Sequence, residues 1–156
     1  MSEPRPGSAR ETFRTGGFED IGGYSRAVRI GAVIAVSGTA ATAPNGSVLS
    51  PGDVYAQTRE GFVRALAAVD ALGGTLEDVI RTRIYLAAGA DWRPAVRAHH
   101  ELFAGVNPAN TTLFVVGFPP EGALTEVEVD AVVGSINAPA ATGPRPSSSS
   151  AQPPTG

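Results

Sequence analysis

Hydrophobic positions along the chain follow two different periods. Ser25–Ile30 and Ala32–Ser37, separated by Gly31, predict two strands, the second of them (AVIAVS) apolar on both faces. A turn-rich stretch follows, with Pro44-Asn45-Gly46 and Ser50-Pro51-Gly52. Asp53 then predicts an N-cap. Beyond it Tyr55, Thr58, Phe62, Ala65, Leu66, Val69 and Leu72 recur at helical spacing up to a stop at Gly73-Gly74. Val79–Leu86 is rich in β-branched residues and predicts a strand with Arg81, Arg83 and Tyr85 on one face and Ile80, Thr82, Ile84 and Leu86 on the other. Asp91 predicts the cap of a second helix, buried through Trp92, Val96, His99 or His100, and Phe103. Pro94 is tolerated because it falls in the first turn, where its missing N–H had no intrahelical partner. Strands over Asn110–Gly117 and Leu124–Val133 complete a β-β-α-β-α-β-β order, with a short extra strand near Thr12–Thr15.

The resulting fold class is α+β, a mixed sheet backed by two helices. Two helices cover one face of such a sheet, whereas Ala32–Ser37 and Val127–Val133 read as apolar toward both, so the second face is expected to be buried by self-association. The pattern also bounds the folded unit. Residues 1–10 are polar with two Pro, and residues 138–156 hold five Pro, a Ser147–Ser150 run and the single charge of Arg145. Such segments bury too little apolar area to offset their ordering entropy, so both are expected to be disordered tails around one domain over residues 11–137.

Composition narrows the chemistry. All 12 basic residues are Arg, Lys and Cys are absent, and His occurs only at positions 99 and 100. A Lys Schiff base, a thiolate nucleophile, a disulfide, a cysteine-ligated metal and a phosphate-loop Lys are therefore excluded. What remains is carboxylates, Arg, hydroxyls, amides, backbone and water. A net charge of −3 without a basic stripe argues against nucleic acid and anionic membranes as partners, and favours a small near-neutral ligand or another protein. No apolar run approaches the roughly 20 residues that span a bilayer, and MSEPRPGSAR lacks an apolar signal region, so the expected location is cytoplasmic.

Glu126, Glu128 and Asp130 fall at period two and so share one strand face, roughly 6.5–7 Å between successive residues. Two readings stay open. Arg81 and Arg83, at the same period on another strand, offer cross-strand ion pairs. Alternatively, a desolvated carboxyl does general acid–base work, and Glu128, central in its strand, is the candidate catalytic residue. His99 and His100 point about 100° apart on a helix and cannot both face one ion, so no metal site is expected and one of them packs in the core. Gly22-Gly23 and Gly73-Gly74 are turns. Ser37-Gly38 marks the rim of the sheet, where a backbone N–H could meet a ligand.

Gly23-Tyr24-Ser25, Val36-Ser37-Gly38, Gln57, Asp78-Val79-Ile80-Arg81, Phe103, Pro108-Ala109 and Glu126–Ala131 occur in an order and spacing that resembles the Rid family (RidA/YjgF, reactive intermediate deaminases), over roughly Phe13 to Val133. The resemblance implies a chorismate-mutase-like fold and a homotrimer with small-molecule sites at its subunit interfaces. It also implies hydrolysis of enamines and imines such as 2-aminoacrylate without metal or cofactor. Carried over by position, Tyr24, Ser37 and Gly38 line the pocket and Glu128 handles water. Asn110 stands where the family's carboxylate-binding Arg is usual, and Thr112 replaces a residue that is often Cys. Arg97 is placed near another pocket position and could substitute for the lost charge, or could instead pair with Glu101 one helical turn on. Because Asn cannot reproduce a bidentate guanidinium, the resemblance implies an imine or enamine substrate other than 2-aminoacrylate, or a trimer that binds a metabolite or partner without turning it over. Ribonuclease activity, sometimes ascribed to the family, is poorly served by a negative chain without Lys.

Overall fold

A computed structural model describes residues 9–134. Apart from Ala9 and Arg10, the two expected tails lie outside these residues. The chain forms β1 (Arg10–Phe13), α1 (Phe18–Gly22), β2 (Ala27–Ile30), β3 (Val33–Thr39), α2 (Val54–Ala71), a 3-10 turn (Leu76–Asp78), β4 (Val79–Ala87), α3 (Arg93–Phe103), β5 (Ala109–Val115) and β6 (Thr125–Val132). One six-stranded sheet runs β1-β2-β3-β6-β4-β5, parallel only between β4 and β5, where α3 supplies the crossover. The fold is the α+β, chorismate-mutase-like arrangement expected. The expected short N-terminal strand is β1, two residues earlier than placed, and α1 is an addition.

Helix α2 starts because the Asp53 carboxylate accepts the Ala56 N–H (2.9 Å), and it stops at Gly73, whose φ of +79° is costly for any residue with a Cβ. Its contact face is wider than the predicted stripe: Val54, Gln57, Gly61 and Ala68 join Thr58, Phe62, Ala65 and Val69 in burial, while Tyr55 is only half-buried. Gly61 allows this close approach, since a Cβ would stand 3.0 Å from the Thr39 carbonyl oxygen and 3.1 Å from Val127 and would push them apart. Gln57 ties the helix to two loops, donating to the Ser50 carbonyl (3.1 Å) and accepting from the Leu124 N–H (2.8 Å). Both long helices therefore lie on the sheet face formed by Ile34, Val36, Thr82, Ile84, Val127 and Val129.

Helix α3 departs from its predicted stripe. Trp92 and Val96 are 45% and 40% exposed, and the buried face is Ala95, Ala98 and Phe103 with half-buried His99. Close approach to α2 favours small residues, so alanines take the places assigned to the large ones. The expected cap at Asp91 is displaced by one residue: Trp92 holds the N-cap position without a side-chain cap, and Asp91, just outside the helix, accepts from the Arg93 N–H (3.0 Å). In β4 the predicted faces hold from Arg81 onward but fail at Ile80, which is 50% exposed. A β-bulge between Val79 and Arg81 rotates it outward and leaves Val79 buried in its place. In β6 only one face is apolar: Val127, Val129 and Ala131 are buried, and Glu126, Glu128 and Asp130 occupy the other. Strand β3 does carry apolar residues on both faces: Ile34 and Val36 are buried, while Val33, 54% exposed, and Ala35 lie on the face neither long helix covers.

Phe62 sits at the helix–sheet junction, edge-on to Phe103 with ring centroids 5.1 Å apart. A second buried cluster holds the N-terminal segment. Fully buried Glu19 accepts from the Thr15 N–H and hydroxyl (2.8 Å each) and from Arg26 Nε (3.1 Å). Burial alone would raise its pKa, but the Thr15 hydrogen bonds and the Arg26 charge outweigh it and hold the carboxyl below the usual range. Stability from Glu19 is therefore present above the ordinary carboxylate pKa and lost as pH falls through the lowered native value. Glu19→Gln is expected to cost about 2–4 kcal/mol at neutral pH, with a smaller gap to the native protein in acid, read from urea unfolding at the two pH values.

Candidate functional site

The period of β6 brings Glu126, Glu128 and Asp130 onto the sheet face that neither long helix covers. Opposite them, β4 presents Tyr85 to Glu126 and Arg83 to Glu128. Arg83 Nη1 donates to Glu128 Oε2 (3.2 Å) and to Asp130 Oδ2 (3.0 Å), so the cross-strand ion pair accounts for two of the three acids. Burial works against this guanidinium, yet Asp130 and Glu128 together lift its pKa.

Glu126 is different. Among the described residues it has no ion pair within 4 Å, and its half-buried carboxyl rests on Gly38. Burial, and then the neighbouring negative charge of Glu128, push its pKa up, and Arg26 opposes them. The desolvated carboxyl anticipated for Glu128 is thus found one position earlier on the same face. Burial, followed by the charge of Glu128, also raises the Tyr85 pKa, which keeps this phenol a hydrogen-bond donor at neutral pH.

A second bulge shapes the neighbouring strand. Val36 pairs with Val129 and Thr39 with Val127, so Ser37 and Gly38 together oppose Glu128. The Ser37 hydroxyl donates to the Ser25 carbonyl (2.7 Å), which puts Tyr24 at the same end of the β2–β3 pair. Tyr24 is 39% exposed, its ring folded over Gly22, where a Cβ would fall 2.8 Å from it. Arg26, which the sequence reading missed, braces the bulge by donating to the Gly38 carbonyl (2.8 Å) and to Glu19. Its signal was available: a polar residue immediately before the apolar Ala27, at the period that faces it away from the core.

Other expected members lie apart within one chain. Asn110 pairs in register with Thr82, and its Nδ2 donates to the Thr82 hydroxyl (3.0 Å), so it points to the helical side of the sheet, as does Thr112, which donates to Asn110 Oδ1 (3.0 Å). Glu128 is on the opposite side. Arg97 is further away still: its guanidinium stacks 4.4 Å above the Tyr55 ring, and the Tyr55 hydroxyl, rather than Arg97, engages Glu101. Arg97 therefore belongs to the outer helical surface of the protomer, held there by the aromatic face of Tyr55. His99 packs against Phe62 and Phe103, and no cluster of three or more metal-ligating side chains occurs among the described residues. A cleft of about 670 Å³ between β1, the 40–46 loop and α2, and one of about 220 Å³ beside α3, contain none of the site residues expected from the sequence.

The family model described as Endoribonuclease L-PSP matches residues 17–133. An uncharacterised protein of Streptomyces coelicolor is 41% identical over 121 residues, covering 77% of this chain and 89% of that protein. The mouse 2-iminobutanoate/2-iminopropanoate deaminase is 29% identical over 114 residues, covering 73% and 84%. Among solved structures, a Mycobacterium tuberculosis member of the YjgF/YER057c/UK114 family superposes with a TM-score of 0.72 at 36% identity, covering 80% of this chain and all of that one. The YjgF gene product of Escherichia coli gives 0.66 at 27%, covering 79% and 98%. The chain belongs to the RidA/YjgF family, the group that the Endoribonuclease L-PSP model describes. No helix among the described residues is long and apolar enough to cross a membrane.

Because the atoms nearest to a Cβ at Gly38 all belong to the flexible end of Glu126, Gly38→Ala is expected to displace that carboxyl into solvent rather than unfold the strand. The Glu126 pKa should then fall back toward the ordinary value, as read by carbon NMR titration of the side-chain carboxyls.

Proposed function

We propose that this protein acts as a homotrimer whose subunit interfaces bind a small molecule, and that it hydrolyses or otherwise transforms a reactive imine or enamine there. The observation that carries the reading is the position of Glu128. It lies on a sheet face that no helix among the described residues covers, oriented by Arg83 and bordered by the Ser37–Gly38 bulge, in a chain that matches the family over nearly its whole described length. Asn110 and Thr112 sit on the free edge strand β5, where Leu113 and Phe114 are 51% and 57% exposed. An edge of one subunit set against the open face of the next would unite these residues with Glu128, Tyr24, Ser37 and Gly38 in one pocket and cover the apolar surface that each chain leaves bare. Arg97, stacked on Tyr55, stays outside that set.

The chemistry needs little. A protonated imine carbon is electrophilic, so Glu128 need only hold a water and take its proton as the C–O bond forms. Glu128 then returns that proton to the carbinolamine nitrogen, and the C–N bond breaks to give the amine and, on loss of the hydroxyl proton, the carbonyl compound. No cofactor takes part in these steps. Asn110 offers neutral donors and acceptors where a carboxylate would need a fixed cation, so the substrate lacks the carboxylate of a 2-imino acid.

The test is a panel of imines generated in place by amine and amino acid oxidases. Native protein is expected to accelerate decay of a neutral or cyclic imine, Glu128→Ala to lose about a hundredfold or more of that rate, and Asn110→Arg to gain hydrolysis of 2-imino acids. Full activity in Glu128→Ala would remove its role. The absent Arg also favours a second reading, a trimer that binds a metabolite without turnover, which tight calorimetric binding with no acceleration would support.

A further inference from the structure

The polar side chains at the β5 edge continue as one chain of hydrogen bonds into the helical layer. Thr112 donates to Asn110 Oδ1 (3.0 Å), Asn110 Nδ2 donates to Thr82 Oγ1 (3.0 Å), and Thr82 Oγ1 lies 2.8 Å from His99 Nε2. Thr82 is fully buried, so its hydroxyl proton must find an acceptor inside the protein. With the Asn110 N–H directed at this oxygen, His99 Nε2 is the acceptor within reach of that proton, and in this arrangement Nε2 is bare with the ring proton on Nδ1.

The chain has one other self-consistent arrangement. With a proton on Nε2, His99 donates to Thr82, Thr82 donates to a reversed Asn110 carboxamide, Asn110 donates to Thr112, and the Thr112 proton is released toward solvent. The imidazole at the inner end therefore decides which groups the outer end displays. His99 faces Phe62 from α2 (centroids 5.5 Å apart), Phe103 from its own helix (4.7 Å) and Thr82 from β4, and the titratable neighbour acting on it is His100. Burial first, and His100 second, lower the His99 pKa and keep the ring neutral at neutral pH.

We propose that His99 is a positioning residue: through Thr82 it locks the Asn110 carboxamide so that the β5 edge displays one Asn110 N–H beside lone pairs of Asn110 Oδ1 and Thr112 Oγ1. That display takes a neutral group carrying an acceptor next to an N–H, as in an amide or amidine, in preference to a carboxylate. A carboxylate brings acceptors only and would meet the outward lone pairs unpaired. The inference rests on the reading above that Asn110 and Thr112 face the ligand, and it deepens that reading by naming the ligand's hydrogen-bonding edge.

Long-range proton–nitrogen NMR of the native, full-length protein at neutral pH is expected to show His99 with bare Nε2 and protonated Nδ1. His99→Phe keeps the aromatic packing and removes the acceptor, and Thr82→Val removes the relay. Each should move the Asn110 carboxamide signals in the same way, with no further change in the double variant. Titration with acetamide should shift the Asn110 and Thr112 signals of native protein more readily than acetate does, and the ratio of the two affinities should fall about tenfold in His99→Phe, the loss of one net hydrogen bond. A protonated Nε2 in the native protein, an Asn110 signal that Thr82→Val moves and His99→Phe does not, or equal affinity for acetate and acetamide would overturn the proposal. If His99→Phe does not fold, the native tautomer together with Thr82→Val decides it. Imine turnover with Nε2 protonated would leave the proposed reaction standing and discard the role of His99. Bare Nε2 with coupled variants but no turnover would do the reverse.

Discussion

The alternation along β6 is the constraint on which the rest of the molecule depends. This strand lies between β3 and β4, so its register fixes both neighbours at once. Val127, Val129 and Ala131 are buried beneath α2, and the same two-residue period sends Glu126, Glu128 and Asp130 to the opposite face. A slip of one residue would carry three carboxylates into the core, at a cost no neighbouring contact could offset. The two bulges, at Ser37-Gly38 and at Ile80, fall on the flanking strands, where extra residues are absorbed without disturbing that central register.

Three acids on one strand are then made unlike one another by what stands opposite them. Asp130 and Glu128 share the guanidinium of Arg83, and the Tyr85 phenol turns to Glu128, whereas Glu126 rests on Gly38 and is left partly desolvated. The difference arises across the sheet rather than along the strand, because the partners come from β3 and β4, some directly opposite and others along the diagonal, as Arg83 reaches Asp130. The same logic governs the other side of the sheet. There Thr82 pairs in register with Asn110 and carries its hydrogen bond inward to His99, linking the edge strand to the aromatic core.

Element types were legible wherever one periodicity dominated: the Asp53 cap, the Gly73 stop, the Arg81-Arg83-Tyr85 face and the Glu126-Glu128-Asp130 face all emerge from residue type and spacing, and all four are found. Legibility ended where packing between elements decided the outcome. Trp92 and Val96 have the spacing of a buried stripe, but α3 approaches α2 closely enough to bury Ala95 and Ala98 instead. Ile80 fits its strand face by alternation and loses it to a bulge, which has no signature in a single strand's sequence.

By itself, then, the sequence determined which side chains share a face, because that follows from the 3.6- and 2-residue periods of a single element. It also determined which reactions lack their reagents, since a chain without Lys or Cys cannot supply them. Only the tertiary structure decided which of those side chains meet. Arg83 joins Glu128 across 45 positions of chain and Asn110 joins Thr82 across 28, whereas Arg97 turns to Tyr55 on the neighbouring helix. Such meetings depend on strand order and register, which arise when separate elements bury their apolar faces together.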